Sequence, residues 1–154
     1  MIPRYTRKEM GKIWEPENRF RKWLEIELLA CEALNKLGKI PDSSLKRIKK
    51  RASFNVERID EIEREVKHDV IAFLTCVSEG VGEDARYIHV GLTSSDILDT
   101  SFSLLLRDAS ELIIKDIERL LAVLKEKAFR YKKTVMIGRT HGIHAEPITF
   151  GFKM

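Results

Sequence analysis

An all-α fold is predicted for this 154-residue chain from three observations. Hydrophobic residues make up 44% and charged residues 34%, with only 8 Gly and 4 Pro between them, the balance of a helical chain rather than a disordered one. Apolar residues recur at three- and four-residue spacing through most of the length. From about Asp96 to Lys132 neither Pro nor Gly occurs. The length suits one domain with a core and is too short for two ordinary ones.

Taken in order, Thr6 followed three residues later by Glu9 has the capping-box pattern, so a short helix is predicted from there to about Trp14. Arg4 and Tyr5 lie just outside it, as surface residues or ligand contacts. Pro16 opens a second helix, with Phe20, Trp23, Leu24, Cys31 and Leu34 on a broad apolar stripe that Gly38 closes. Asp42 can cap a third helix carrying the basic cluster Lys46 to Arg51, a solvated face or a polyanion contact. Asn55 is a suitable N-cap for a fourth, in which Val56, Ile59, Ile62 and Val66 share a face.

That helix runs into Lys67-His68-Asp69, three polar groups that cannot share one helical face, where Asp69 could cap the next apolar segment, Val70 to Val77. The junction reads either as a kink aiming polar groups into a cleft or as an exposed joint. Gly80-Val81-Gly82 breaks the segment, and residues 83–91 form a loop carrying His89. Thr93-Ser94-Ser95-Asp96 then precedes the longest periodic stretch, a rod of about 50 Å if helical throughout. A rod of that length points to a bundle or an oligomer. At its start, free N–H groups, the helix dipole and the Thr93 and Ser94 hydroxyls suit a carboxylate or phosphate, although a Ser or Thr there also serves as a plain cap.

The stretch Thr134 to Gly151 is where chemistry is expected. Thr134 to Ile137 is a short β-branched, apolar run, and Gly138 and Gly142 bracket Arg139-Thr140-His141, presenting a cation, a hydroxyl and an imidazole from an irregular turn. Pro147 suits the first turn of a new helix, which the ending Phe150-Gly-Phe-Lys-Met154 would cut after about two turns, so the chain is expected to belong to a longer polypeptide.

Other classes have less support. Cys31 and Cys76 fall in apolar helical surroundings without metal-like spacing and read as buried thiols. His141 and His144 lack a Cys or acidic partner in a recognisable ligand pattern, so no metal site is expected. There is no Gly-rich phosphate loop and no Gly-x-Ser-x-Gly elbow. The net charge of +4, built from dense charges of both signs, does not indicate nucleic acid. No signal peptide and no apolar run of roughly 20 residues is present, and a cytoplasmic protein is expected. His68, His89, His141 and His144 all lie at predicted helix junctions, where imidazoles suit general acid/base work.

Four clusters carry a family resemblance: Arg4-Tyr5 with Glu9-Met10; Lys67-His68-Asp69; His89 with Gly91-Leu92-Thr93-Ser94-Ser95-Asp96 and Asp99-Thr100; and Gly138-Arg139-Thr140-His141-Gly142 with His144-Ala145-Glu146-Pro147. Together they resemble the adenylosuccinate lyases of the fumarase/aspartase superfamily over essentially the whole chain. The resemblance implies elimination of fumarate from adenylosuccinate to give AMP, and from the succinyl-carboxamide ribotide, without a cofactor. It implies His141 as general acid with His68 supporting it, Thr93 and Ser94 on a succinyl carboxylate, and Arg4 and Tyr5 at the nucleotide phosphate, with Lys67 and Asp69 lining the pocket. His89 is expected nearby, without an assigned role.

The resemblance further implies a helical N-terminal domain, residues 1–93, followed by the start of a long-helix bundle domain, residues 94–154. It also implies a full-length homotetramer whose sites draw residues from three subunits. The family's proton-abstracting serine lies on a downstream Gly-Ser-Ser loop that has no counterpart before Met154, so the chain alone is expected to be inactive. Two alternatives stand beside this reading: a superfamily lyase acting on argininosuccinate, which Arg4-Tyr5 and Lys67-His68-Asp69 disfavour, and a non-catalytic helical module binding RNA or a partner helix through residues 46–51.

Overall fold

The computed structural model describes residues 2–154. Its elements are a 3-10 turn Pro3–Tyr5, α1 Lys8–Ile13, α2 Pro16–Lys36, α3 Asp42–Arg51, α4 Val56–Val66, α5 Asp69–Val81, a 3-10 turn Gly82–Tyr87, α6 Ser94–Arg130, β1 Val135–Thr140, β2 Ile143–Thr149 and α7 Phe150–Lys153. The described residues are all-α apart from one two-stranded hairpin. None of their helices is long and apolar enough to cross a membrane. They form two compact units that divide between Ala109 and Ser110, inside α6.

In the first unit, α2 to α5 and the start of α6 enclose one core. Phe20, Trp23 and Phe73 are fully buried, with Trp23 edge-on to both Phe20 (5.1 Å between centroids) and Phe73 (5.4 Å). Burying side chains of this size contributes about 1.5–3 kcal/mol each. Ile48, Ile59, Val70, Val77 and Ile97 complete the core from the other helices. Both cysteines are buried, as their apolar surroundings predict.

The helix ends follow local chemistry, with some corrections. Pro16 occupies the first turn of α2, and Gly38 turns the chain out beyond it with φ +72°. The Asn55 side chain accepts from Arg58 N–H (2.7 Å) and caps α4 as predicted. Thr6 does not cap α1: the preceding 3-10 turn claims it, with its N–H on Pro3 O and its hydroxyl on Ile2 O (2.8 Å), and α1 starts at Lys8 behind Arg7. Asp42 lies inside the first turn of α3, behind Pro41, and accepts from Asn35 Nδ2 (2.8 Å). Gly80 is helical within α5, and the break falls at Gly82, whose φ of +77° leaves the helix.

In the second unit, α6 ends at Arg130 and the chain reverses into the hairpin. Val135 pairs with Thr149, Ile137 with Pro147 and Arg139 with His144, with a register shift at Gly138. Pro147 therefore belongs to a strand, not to the start of a helix as predicted. Its fixed φ also suits extended backbone, and a two-stranded ribbon leaves an edge where its missing N–H is harmless. The helix begins three residues later, with Thr149 Oγ1 accepting from Phe152 N–H (3.3 Å).

Candidate active site

Four local groups hold the predicted site residues. Arg4 and Tyr5 share the first 3-10 turn, both exposed, with the Arg4 guanidinium 4.8 Å from the Tyr5 ring centroid. The negative face of the ring attracts a cation placed this way.

The Lys67-His68-Asp69 joint is a kink between α4 and α5. Lys67 closes α4 in a left-handed conformation, φ +55°, and lines an open groove of about 480 Å³ with Asp60, Glu63 and Arg64. His68, not Asp69, caps α5: its Nδ1 accepts from Ile71 N–H at 3.4 Å. Asp69 is the first helical residue and accepts from Val70 N–H (2.7 Å). The cap has a chemical consequence. A ring nitrogen that accepts carries no proton, so neutral His68 is the Nε2–H tautomer, with its donor on the side of the ring away from the helix. Asp69 Oδ1 lies 3.5 Å from the same Nδ1.

At the start of α6 the cap is made without the hydroxyls. Thr93 N–H donates to Asp96 Oδ2 (2.8 Å) and Asp96 N–H to Thr93 O (3.0 Å), the back-bonding half of a capping box. Exposed Thr93 and half-buried Ser94 thus keep hydroxyl donors beside the helix dipole, a geometry that suits an anion.

His89 lies just upstream, at φ +64°. Its N–H donates to Glu27 Oε2 (2.9 Å), and its Nδ1 is 2.6 Å from Glu27 Oε1. Glu27 is 1% exposed. The prediction from sequence missed it, although a signal was present: Glu27 follows Trp23 by four residues and precedes Cys31 by four, which puts a carboxyl group on the buried stripe of α2. Burial, and then the nearby Glu27, push the Cys31 thiol up to about 11, so it stays protonated near neutrality.

The last group is the hairpin. His141 and Gly142 form its two-residue turn, and Arg139 faces His144 across the ladder. Positive φ at both turn positions matches the right-handed twist of the strands. An open groove of about 530 Å³ is lined by Arg139, Thr140, His144 and Glu146 among others. His141, at the tip, is exposed. A local cue to this hairpin was a His-Gly pair between two stretches rich in β-branched residues.

A family model described as Lyase matches residues 4–154. The chain belongs to this lyase family. It is 53% identical over 154 residues to an adenylosuccinate lyase of Bacillus subtilis (strain 168), covering 100% of the chain and 36% of that relative. An adenylosuccinate lyase of Aquifex aeolicus (strain VF5) is also 53% identical, over 157 residues, with the same coverage. The chain thus spans about 36% of the length of these relatives. Among solved structures, a fumarate lyase from Mesorhizobium sp. BNC1 superposes with a TM-score of 0.86 at 31% identity, covering 94% of this chain and 35% of its own. The 3-carboxy-cis,cis-muconate lactonizing enzyme from Pseudomonas putida gives 0.86 at 29% identity, covering 97% and 36%. The fold is therefore shared by enzymes whose names give different substrates.

Proposed function

We propose that the complete polypeptide containing this chain is an adenylosuccinate lyase, eliminating fumarate from adenylosuccinate to give AMP and from the succinyl-carboxamide ribotide. The observation that carries the reading is the 53% identity to adenylosuccinate lyases across all 154 residues. The elimination needs a base for a weakly acidic proton beside a carboxylate, donors for the dianion that results, and an acid for the departing purine nitrogen. His141 is the proposed acid, and its exposed turn supports that role. His68 supports it near the substrate, and its cap supports an Nε2–H donor.

Thr93 and Ser94 are proposed to hold a succinyl carboxylate, Arg4 and Tyr5 the phosphate, and Lys67 and Asp69 to line the pocket. The catalytic base is proposed to lie on a Gly-Ser-Ser loop outside these residues, so the 154-residue chain alone is expected to be inactive. Residues 1–93 would form the N-terminal domain and 94–154 the start of the central bundle. Exposed Phe102, Leu106, Ile113, Ile117 and Leu120 on α6 support a homotetramer of the full-length protein. The proposed partner is a small nucleotide in the cytoplasm, not nucleic acid or a membrane. Incubating the full-length protein with adenylosuccinate is expected to release fumarate and AMP; turnover of argininosuccinate instead, or no fumarate, would sink the reading.

A further inference from the structure

Glu27 is held in an unusual way for a side chain of a core helix. Its carboxyl group is 1% exposed, and both oxygens are engaged by the same residue, 62 positions downstream. Oε2 accepts the His89 backbone N–H at 2.9 Å, and Oε1 lies 2.6 Å from His89 Nδ1. The backbone so gripped is left-handed, φ +64° at a residue that is not glycine, a conformation that persists where its surroundings over-determine it. A buried carboxyl group is a poor source of stability in itself, since an apolar side chain of the same shape would fill the space without losing water. The two bonds instead converge on one turn.

That turn leads directly to the proposed anion seat. His89 O accepts from Leu92 N–H (3.3 Å), Gly91 reverses the chain at φ +78°, and Thr93 enters α6 with its N–H on Asp96. We propose that Glu27 is a positioning residue of this lyase, clamping His89 in its left-handed turn and thereby setting where Thr93 and Ser94 present their hydroxyls. The 2.6 Å contact between Glu27 Oε1 and His89 Nδ1 also fixes the His89 ring and leaves Nε2 as the nitrogen turned away from the clamp. The role at Thr93 and Ser94 rests on the lyase reading; the clamp itself does not.

The test uses the full-length polypeptide carrying Glu27→Gln, His89→Ala or both. Gln keeps the shape and one acceptor oxygen while removing the carboxylate. Backbone amide exchange, read by mass spectrometry, is expected to quicken about tenfold in peptides covering residues 88–93 and to stay unchanged elsewhere. With adenylosuccinate, kcat should fall about 10- to 100-fold while KM changes less than about threefold. The double variant should be no slower than His89→Ala, because Glu27 acts through that residue. If Glu27→Gln does not fold, Glu27→Asp, which keeps the charge and shortens the reach, should show the same local quickening. Unchanged exchange at 88–93 overturns the clamp. Exchange raised throughout the first unit, or losses that multiply in the double variant, overturn positioning in favour of a plain structural anchor. An inactive wild type with quickened exchange in Glu27→Gln would sink the substrate reading and leave the clamp standing.

Discussion

His141 and Gly142 occupy the two central positions of the hairpin turn, both left-handed, with φ +50° and φ +77°. A Cβ added at Gly142 would meet nothing within 4 Å, so Gly142→Ala costs backbone strain and no clash. The strain is about 1–2 kcal/mol, whereas Gly142→Asn, which tolerates this conformation better, should cost less. If His141 is the acid, relaxing the turn also displaces its ring, and kcat of the full-length enzyme should fall about tenfold in Gly142→Ala. Thermal melting and steady-state kinetics on the two variants check both effects; equal behaviour of Ala and Asn would contradict them.

Gly151 shows the opposite limit. A Cβ there would lie 2.3 Å from Ala128 O and 2.6 Å from Lys132 N, both backbone atoms that cannot rotate away. This close approach lets Gly151 N–H reach Tyr131 O (3.0 Å) and seats α7 on the end of α6. Gly151→Ala should therefore destabilise by about 1–3 kcal/mol through overpacking. A lowered unfolding midpoint, with faster amide exchange confined to residues 148–153, is the expected result.

These two glycines illustrate what the sequence made legible. Caps and stripes were readable because they are local: Asn55 needs only Arg58 N–H three residues on, and Phe20, Trp23 and Cys31 need only helical spacing. The hairpin was not, because Pro147 fits a helix start and an edge strand equally well until Ile137 is known to lie opposite. Thr6 failed as a cap because a competing turn three residues earlier used it first. The residues proposed for the site, down to Thr93 and Ser94, rest on motif resemblance rather than on spacing. The partner of Glu27 was not, because 62 residues separate it from His89 and only the fold joins them.

Arg47 and Asp84 tie α3 to the second 3-10 turn, with Nε to Oδ2 at 2.5 Å and Nη2 to Oδ1 at 2.9 Å. The hydrogen-bonded guanidinium holds the Asp84 carboxyl down from 3.8 to about 2. A depressed carboxyl pKa means that the unfolded chain binds the proton first, so the stabilisation is complete above 3.8 and is lost as pH falls through about 2. Wild type should therefore unfold at higher urea than Asp84→Asn at neutral pH, with the gap closing through that acidic window. A gap that did not depend on pH would assign the effect to packing instead.

Thr93 and Asp96 divide two tasks that a sequence pattern cannot separate. Asp96 Oδ2 satisfies Thr93 N–H, while the cap uses the Thr93 carbonyl and not its hydroxyl. Removing the Asp96 acceptor should thus cost about 1 kcal/mol of stability, as losing a cap does. Thr93→Val keeps the shape and removes only the hydroxyl, so stability should move by less than about 0.5 kcal/mol. Activity should rank the other way if Thr93 holds a succinyl carboxylate: one lost donor to a charge that grows in the transition state lowers kcat about 10²-fold. Ser94→Ala should behave like Thr93→Val, and Asp96→Ala should lose stability first. Melting curves and fumarate release from the three full-length variants decide the matter, and a Thr93→Val protein that is destabilised yet fully active would return the hydroxyl to the cap.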